Sequence, residues 1–284
     1  MKILSLGEII WDIFPDKSAI GGAPLNFAAH AKKAGADSYL LSAVGDDDLG
    51  EKAVEILNGY GVNTSYVSVN RGKSTGRCIV TLDDNGVPAY DVIKNVAWDD
   101  IIMPGKIIGE HFDAFAFGTL SLREGKNKEV VAEVLSSCML DEIFVDLNLR
   151  APFYSKDTIE FCLERATILK VSDEELPMVL RYVFGEETDR EHGVRALSKK
   201  YDGIKMIILT CGAEGSALYD SETDSFKYKE AIKTKVASTV GAGDSYGAAF
   251  LCGYLEGRSI DECLERATRI SSFVVSVDEA IPEY

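Results

Sequence analysis

Short apolar runs that alternate with helical stretches leave this chain few folds to choose from. Ile3 to Leu6, Tyr39 to Val44, Ala114 to Phe117, Ile143 to Leu147, Thr167 to Val171 and Met206 to Thr210 are brief, mostly apolar and bounded by turn or polar residues. Runs of that kind suit strands covered on both faces, as in parallel sheets. Parallel neighbours need long crossovers. Helical patterns supply them at Leu25 to Lys33, Leu49 to Tyr60, Lys128 to Ser137, Thr158 to Glu164, Asp173 to Phe184 and Glu191 to Lys200, and two more helices, Gly241 to Leu255 and Ile260 to Val275, close the chain. The series predicts an α/β body around a mostly parallel sheet. Between 65 and 96 the character changes. Tyr66 to Val69, Gly76 to Leu82 and Val87 to Ile93 read as strands, with Asp84-Asn85-Gly86 as a hairpin turn. We expect a small inserted antiparallel sheet there. With no linker-like stretch, residues 1–284 read as a single domain, the inserted part spanning about 12–20 and 65–96.

Bulk charge narrows the partners. The net charge of −16 argues against nucleic acid and anionic membrane, both of which need basic patches. No run approaches the ~18 apolar residues of a membrane span. The N-terminus lacks the pattern of a secretory signal. Six cysteines form no CxxC, and no histidine stands at zinc-ligand spacing, so the thiols read as reduced and the location as cytoplasmic.

The chemistry is concentrated in Ser238-Thr239-Val240-Gly241-Ala242-Gly243-Asp244-Ser245-Tyr246, a small-residue turn leading into an apolar helix. Unpaired N–H groups and the dipole make such a helix start an anion site. Glycines let the backbone approach a phosphate. Asp244 places a carboxylate inside that pocket, and a base beside an anion hole is what transfer of phosphate to a hydroxyl requires. Two look-alikes fail. Gly72-Lys73-Ser74 resembles the tail of a P-loop, but Val67 stands where its first glycine belongs. Gly241-Ala242-Gly243 with Gly247 has the wrong spacing for a dinucleotide fingerprint. Asp46-Asp47-Asp48 reads as a capped turn, with Asp46 as a lesser candidate to support the site.

Two segments together resemble the PfkB (ribokinase-like) carbohydrate kinases. One is Gly21-Gly22-Ala23-Pro24-Leu25-Asn26-Phe27-Ala28, continuing to Val44-Gly45-Asp46-Asp47-Asp48-Leu49-Gly50; the other is Thr239 to Tyr246. Within the family the chain looks most like bacterial fructokinases, on Gly7-Glu8-Ile9-Ile10-Trp11-Asp12, Ala97-Trp98-Asp99 and Asp146-Leu147-Asn148-Leu149-Arg150. The resemblance implies a three-layer α/β/α sandwich with a mostly parallel central sheet and a small inserted β-sheet lid. It implies transfer of the γ-phosphate of ATP to a sugar hydroxyl, with Mg2+, fructose being the first candidate.

Residue by residue, the resemblance assigns Asp244 as catalytic base and Gly241, Ala242 and Gly243 as the anion hole. Asp12, Gly22 and Asn26 fall on sugar-binding positions, with Thr75-Gly76 and Tyr90 as weaker lid candidates. Arg150, Ser172, Thr210, Gly212 and Gly215 fall on the nucleotide side, and Glu175 on a position that helps order Mg2+. Simpler roles compete: a capping side chain for Asn26, a surface ion pair for Arg150, a first-turn acid for Glu175. Two departures stand out. Ser172 replaces an asparagine. Ser238 replaces an aspartate that commonly helps hold a monovalent cation, which leaves activation by K+ open. Ser276-Val277-Asp278-Glu279-Ala280 also departs from the usual Gly-Ala turn. Rival readings are a kinase of ribose, 2-keto-3-deoxygluconate or a nucleoside such as adenosine, and a catalytically silent sugar-binding regulator. An inserted sheet with open edges also suits a homodimer through the lid.

Overall fold

The computed structural model describes residues 1–82 and 88–284. The chain opens with β1 (Lys2–Leu6), β2 (Ile10–Ile13), β3 (Ser18–Gly21), α1 (Ala23–Lys33), β4 (Asp37–Gly45), α2 (Asp48–Gly59) and β5 (Val67–Asn70). It continues through β6 (Gly76–Leu82), β7 (Pro88–Val92), β8 (His111–Gly118), α3 (Lys126–Ser137), β9 (Met139–Asp146), α4 (Lys156–Leu163) and β10 (Ile168–Ser172). Last come α5 (Leu176–Phe184), α6 (Arg190–Lys200), β11 (Met206–Thr210), β12 (Ser216–Asp220), β13 (Ser225–Lys229), α7 (Ala242–Leu255) and α8 (Ile260–Val275).

Among the described residues these strands form a nine-stranded sheet, β13-β12-β11-β10-β9-β8-β1-β4-β5, and a four-stranded one, β3-β2-β6-β7. From β11 to β5 every pairing in the large sheet is parallel. Alternate residues of its strands feed two cores. Leu4, Leu6, Phe115, Val145 and Leu169 pack with α3 to α6. Ile3, Ala116, Phe144 and Ile168 pack with α1, α7 and α8. The result is the three-layer sandwich, with both sheet faces dry and the strands correspondingly apolar. α7 is buried nearly all round, Gly247 to Gly253 included, because it lies between the sheet, α1 and α8. Phe250 and Leu251 have no exposed surface, worth roughly 2–3 kcal/mol of burial each. Helix starts follow their caps: Asp47 accepts from Gly50 N–H on α2, and Ser259 and Glu262 form a capping box on α8.

Three elements differ from the sequence reading. β5, expected in the small sheet, pairs in parallel with β4 at the edge of the large one. The small sheet is mixed rather than antiparallel, because β2 and β6 run parallel. β12 and β13 were not expected; they extend the large sheet as antiparallel strands. The Asp84-Asn85-Gly86 turn lies outside the described residues. No helix among the described residues is long and apolar enough to cross a membrane.

Candidate active site

From β1 the chain builds outward on one side through β4 and β5. It then returns to β8 on the other side and continues through β9 to β11. The strand order therefore reverses at β1 and β8, and the crevice outside the strand ends at such a point is where ligands bind in open α/β sheets. A cleft of about 550 Å³ lies there, lined by residues that follow β1, β8 and β9, by the starts of α1 and α7, and by the small sheet.

The start of α7 forms its inner end. Gly241 precedes the helix at φ 79°, a left-handed conformation, and a Cβ there would stand 2.6 Å from the Ala280 carbonyl oxygen. Asp244 follows in the first turn. Asn26, in the first turns of α1, donates Nδ2–H to Asp244 Oδ2 at 2.8 Å. The Asn26 side chain therefore orients the carboxylate and does not cap its own helix, which has no side-chain cap. Burial pushes the Asp244 carboxyl up to about 6, and neighbouring Asp146 adds to the rise. The Asn26 hydrogen bond, Lys170 and Arg150 pull the other way.

β9 and β10 bring Asp146 and Lys170 into register, and Lys170 Nζ donates to Asp146 Oδ2 at 2.7 Å. Burial works against the Lys170 charge, yet Asp146, Glu175 and Asp244 together raise its proton affinity. Burial raises Asp146 despite Lys170. Asp146 Oδ1 is buried with no hydrogen-bond partner among the described residues. Glu8, just past β1, is pushed up to about 7, mainly by burial and further by the Asp244 charge. Glu8, Asp146 and Asp244 thus crowd one end of the cleft, with Lys170 and Arg150 as its cations.

Asp12 on β2 and Gly22 before α1 line the same cleft. Gly22 has φ 114°, and a Cβ would strike the Glu8 carbonyl oxygen at 2.4 Å, so only glycine fits. Burial raises the Asp12 carboxyl, and a hydrogen bond with the Cys78 thiol opposes it. Tyr90 and Phe153 line the same cleft. Thr75 does not: its hydroxyl donates to Asp47 Oδ1 at 2.6 Å, tying the small sheet to α2. Asp46 is exposed and paired with Arg71, outside the cleft.

Asp12, Gly22, Asn26, Arg150, Gly241, Gly243 and Asp244 therefore meet around one cavity, with Ala242 between the two glycines in the first turn of α7. Ser172, Glu175, Thr210, Gly212 and Gly215 do not line it. They occupy the same rim further along, at the ends of β10 and β11, where Ser172 and Thr210 are register neighbours. Glu175 accepts the Leu149 N–H at 2.5 Å and the Ser172 N–H at 2.8 Å. Ser172 Oγ accepts from the Glu175 N–H in return. This reciprocal pair delays the start of α5 beyond the expected Asp173 and ties the ends of β9 and β10 together. Gly212 (φ 50°) and Gly215 (φ 115°) bracket a turn that leads into β12. Ser238 Oγ accepts from the Val240 N–H within the loop before α7. A separate group, His111, Asp113 and Asp141, lies at the opposite ends of β8 and β9, where Asp141 already pairs with His111 at 3.0 Å.

Lys170, Asp146 and Glu8 escaped assignment from sequence. The one available signal was a lysine inside the apolar run 167–171, which a buried strand does not tolerate without a partner.

The profile of the pfkB family carbohydrate kinases matches residues 15–283, and the chain belongs to that family. The protein named "Probable fructokinase-4" from Arabidopsis thaliana is 27% identical over 92% of this chain and 84% of its own. Fructokinase from Vibrio cholerae O395, solved with fructose, ADP and a calcium ion, superposes with a TM-score of 0.83 at 19% identity, covering 99% of this chain and 94% of its own. An uncharacterized sugar kinase from Pyrococcus horikoshii, solved with ATP, gives a TM-score of 0.80 at 23% identity over 98% and 94%. These solved structures share the ribokinase-like fold with the chain.

Proposed function

We propose that the protein is a fructokinase, transferring the γ-phosphate of ATP to a hydroxyl of fructose. The observation that carries the reading is Asp244, a carboxyl held up to about 6 at the first turn of α7 and oriented by Asn26. A group with that proton affinity is ionised at neutral pH and still basic enough to take a proton from an attacking hydroxyl.

In this reading the sugar lies between Asp12, Gly22 and Asn26 with one hydroxyl against Asp244. A carboxylate such as Asp12 accepts two hydroxyl bonds and so rejects sugars lacking them. The N–H groups at Gly241 to Gly243 face the transferring phosphoryl group, and Lys170 and Arg150 supply positive charge beside it. The nucleotide runs along Ser172, Thr210, Gly212 and Gly215. The small sheet acts as a lid that excludes water, favouring transfer to sugar over hydrolysis. The site has donors suited to a hard divalent cation: Asp146 offers a buried oxygen without a partner among the described residues, and Glu175 stands on the same rim with both oxygens engaged by N–H groups. Mg2+ held there, directly or through water, would neutralise phosphate charge.

The similarity to plant fructokinases and the fructose bound in the Vibrio enzyme support fructose over ribose or a nucleoside. The cytoplasm is the proposed location, supported by six unpaired cysteines. β3 and β7 are the open edges of the small sheet, and a homodimer through them is the assembly we favour. The test is ADP release in a coupled assay with MgATP across fructose, ribose, glucose, 2-keto-3-deoxygluconate and adenosine, with and without K+. Turnover peaking on fructose is the expected result. A peak on another acceptor removes fructose but keeps the kinase; sugar binding without turnover favours a silent regulator. Equal rates with and without K+ would mean that Ser238 has cost the cation site.

A further inference from the structure

Arg123 and Asp99 form an ion pair outside the cleft, buried so completely that their side chains are 2% and 1% exposed. Arg123 Nε meets Asp99 Oδ1 at 2.7 Å and Nη2 meets Oδ2 at 2.8 Å, a two-pronged contact. Nη2 also donates to the Ile93 carbonyl at 2.6 Å, at the end of β7. The guanidinium lies over Trp98 at 4.0 Å and over Phe153, a cleft residue, at 5.1 Å.

Each contact leads either to the body or to the small sheet. Asn127 of α3 donates to the carbonyls of Trp98 at 2.8 Å and Ser121 at 2.7 Å, which fixes the Asp99 turn and the Arg123 turn to one helix. On the other side, the Ile93 N–H donates to the Arg77 carbonyl at 3.0 Å; Arg77 faces Trp11 on β2, and Asp12 is the next residue. Gly76, the first residue of β6, lies so close to the Trp98 indole that a Cβ would fall 2.4 Å from its Nε1.

A buried ion pair adds little stability over an apolar pair of the same shape. Its particular contribution is direction, because a guanidinium fork held at both prongs cannot rotate. We propose that Arg123 is a positioning residue that fixes the root of the small sheet on the body and thereby sets where Asp12 stands over the cleft. The effect on sugar binding rests on the role given to Asp12 under the fructokinase reading; the anchoring does not.

The test is Arg123→Lys, which keeps the charge and loses the fork. Amides of β6, of β7 from Tyr90 to Val92 and of Ile93 just beyond it exchange with solvent at least about tenfold faster, while those of β1 and β9 keep their wild-type rates. The KM for fructose rises about tenfold with kcat changed less than about threefold, and ADP release without sugar grows as a share of the total. Unchanged exchange in the small sheet overturns the proposal, as does acceleration spread equally over β1 and β9. If the lysine variant does not fold, Asp99→Asn, which leaves the fork one neutral acceptor, is judged by the same exchange pattern. A wild type inactive on every sugar would defeat the fructokinase reading, and exchange alone would then decide the anchor.

Discussion

Replacing Glu8 with glutamine should stabilise the protein above neutral pH, by an amount that follows from where Glu8 sits. The side chain is 3% exposed, beside Asp244 at the inner end of the cleft. Burial is the main reason its carboxyl moves from an ordinary 4.5 to about 7, with the Asp244 charge adding to it. N–H groups of Glu8 and Ala23 oppose the rise without cancelling it. A carboxyl raised in the folded state binds its proton more tightly there than in the unfolded chain. Its contribution is therefore fully present below pH 4.5 and is lost as pH rises to about 7. At about 1.4 kcal/mol per pH unit the loss totals about 3 kcal/mol, most of which falls between pH 5 and pH 8. Glutamine is neutral throughout and loses nothing. Urea unfolding of both proteins at pH 5 and pH 8 should therefore show the variant gaining about 2–3 kcal/mol on the wild type, at matched m-values. The opposing effect is the attraction of an ionised Glu8 to the start of α1, worth about 0.3–1 kcal/mol and too small to reverse the sign. A difference constant to within about 0.5 kcal/mol, or a wild type that gains on the variant as pH rises, would mean that Glu8 is ionised in the fold and that its burial has been misread.

The other predictions concern the loop before α7 and its base. Asp244→Asn should lower turnover by about a thousandfold while leaving fructose affinity within about twofold by calorimetry; normal turnover would remove Asp244 as the base. In the wild type, kcat/KM should fall about tenfold per pH unit below about 6, as Asp244 takes up its proton, and a profile flat down to pH 5 would contradict the assignment. Gly241→Ala forces a side chain into φ 79° and towards the Ala280 carbonyl; it should cost about 1–3 kcal/mol in thermal unfolding and slow turnover, whereas an unchanged Tm would show that the loop does not need its left-handed turn.

Much of the site was legible because its signals are local. A glycine turn ahead of an apolar helix is an anion site whatever surrounds it, so Gly241 to Asp244 could be read from nine consecutive residues. Gly22 and Asn26 likewise belong to one helix start. Lys170 and Asp146 are different. Their partnership exists because β9 and β10 are neighbours in register, and neither residue carries a sign of the other in its flanking sequence. Glu175 was legible as a rim acid but not as the group that ties two strand ends through Leu149 and Ser172.

The same division holds for the whole fold. The sequence by itself determined most of the order of strands and helices, β12 and β13 excepted, together with the parallel character of the main sheet and the chemistry at the start of α7, because period, caps and turn residues act over a few positions. Which sheet β5 joins, the parallel pairing of β2 with β6 and the antiparallel edge made by β12 and β13 were decided by the tertiary structure. A strand's own side chains specify which face is buried, whereas its partner is selected by the shapes left open once the other elements have packed. The raised proton affinities of Asp244 and Glu8 have the same origin, since burial depends on every element that closes over them.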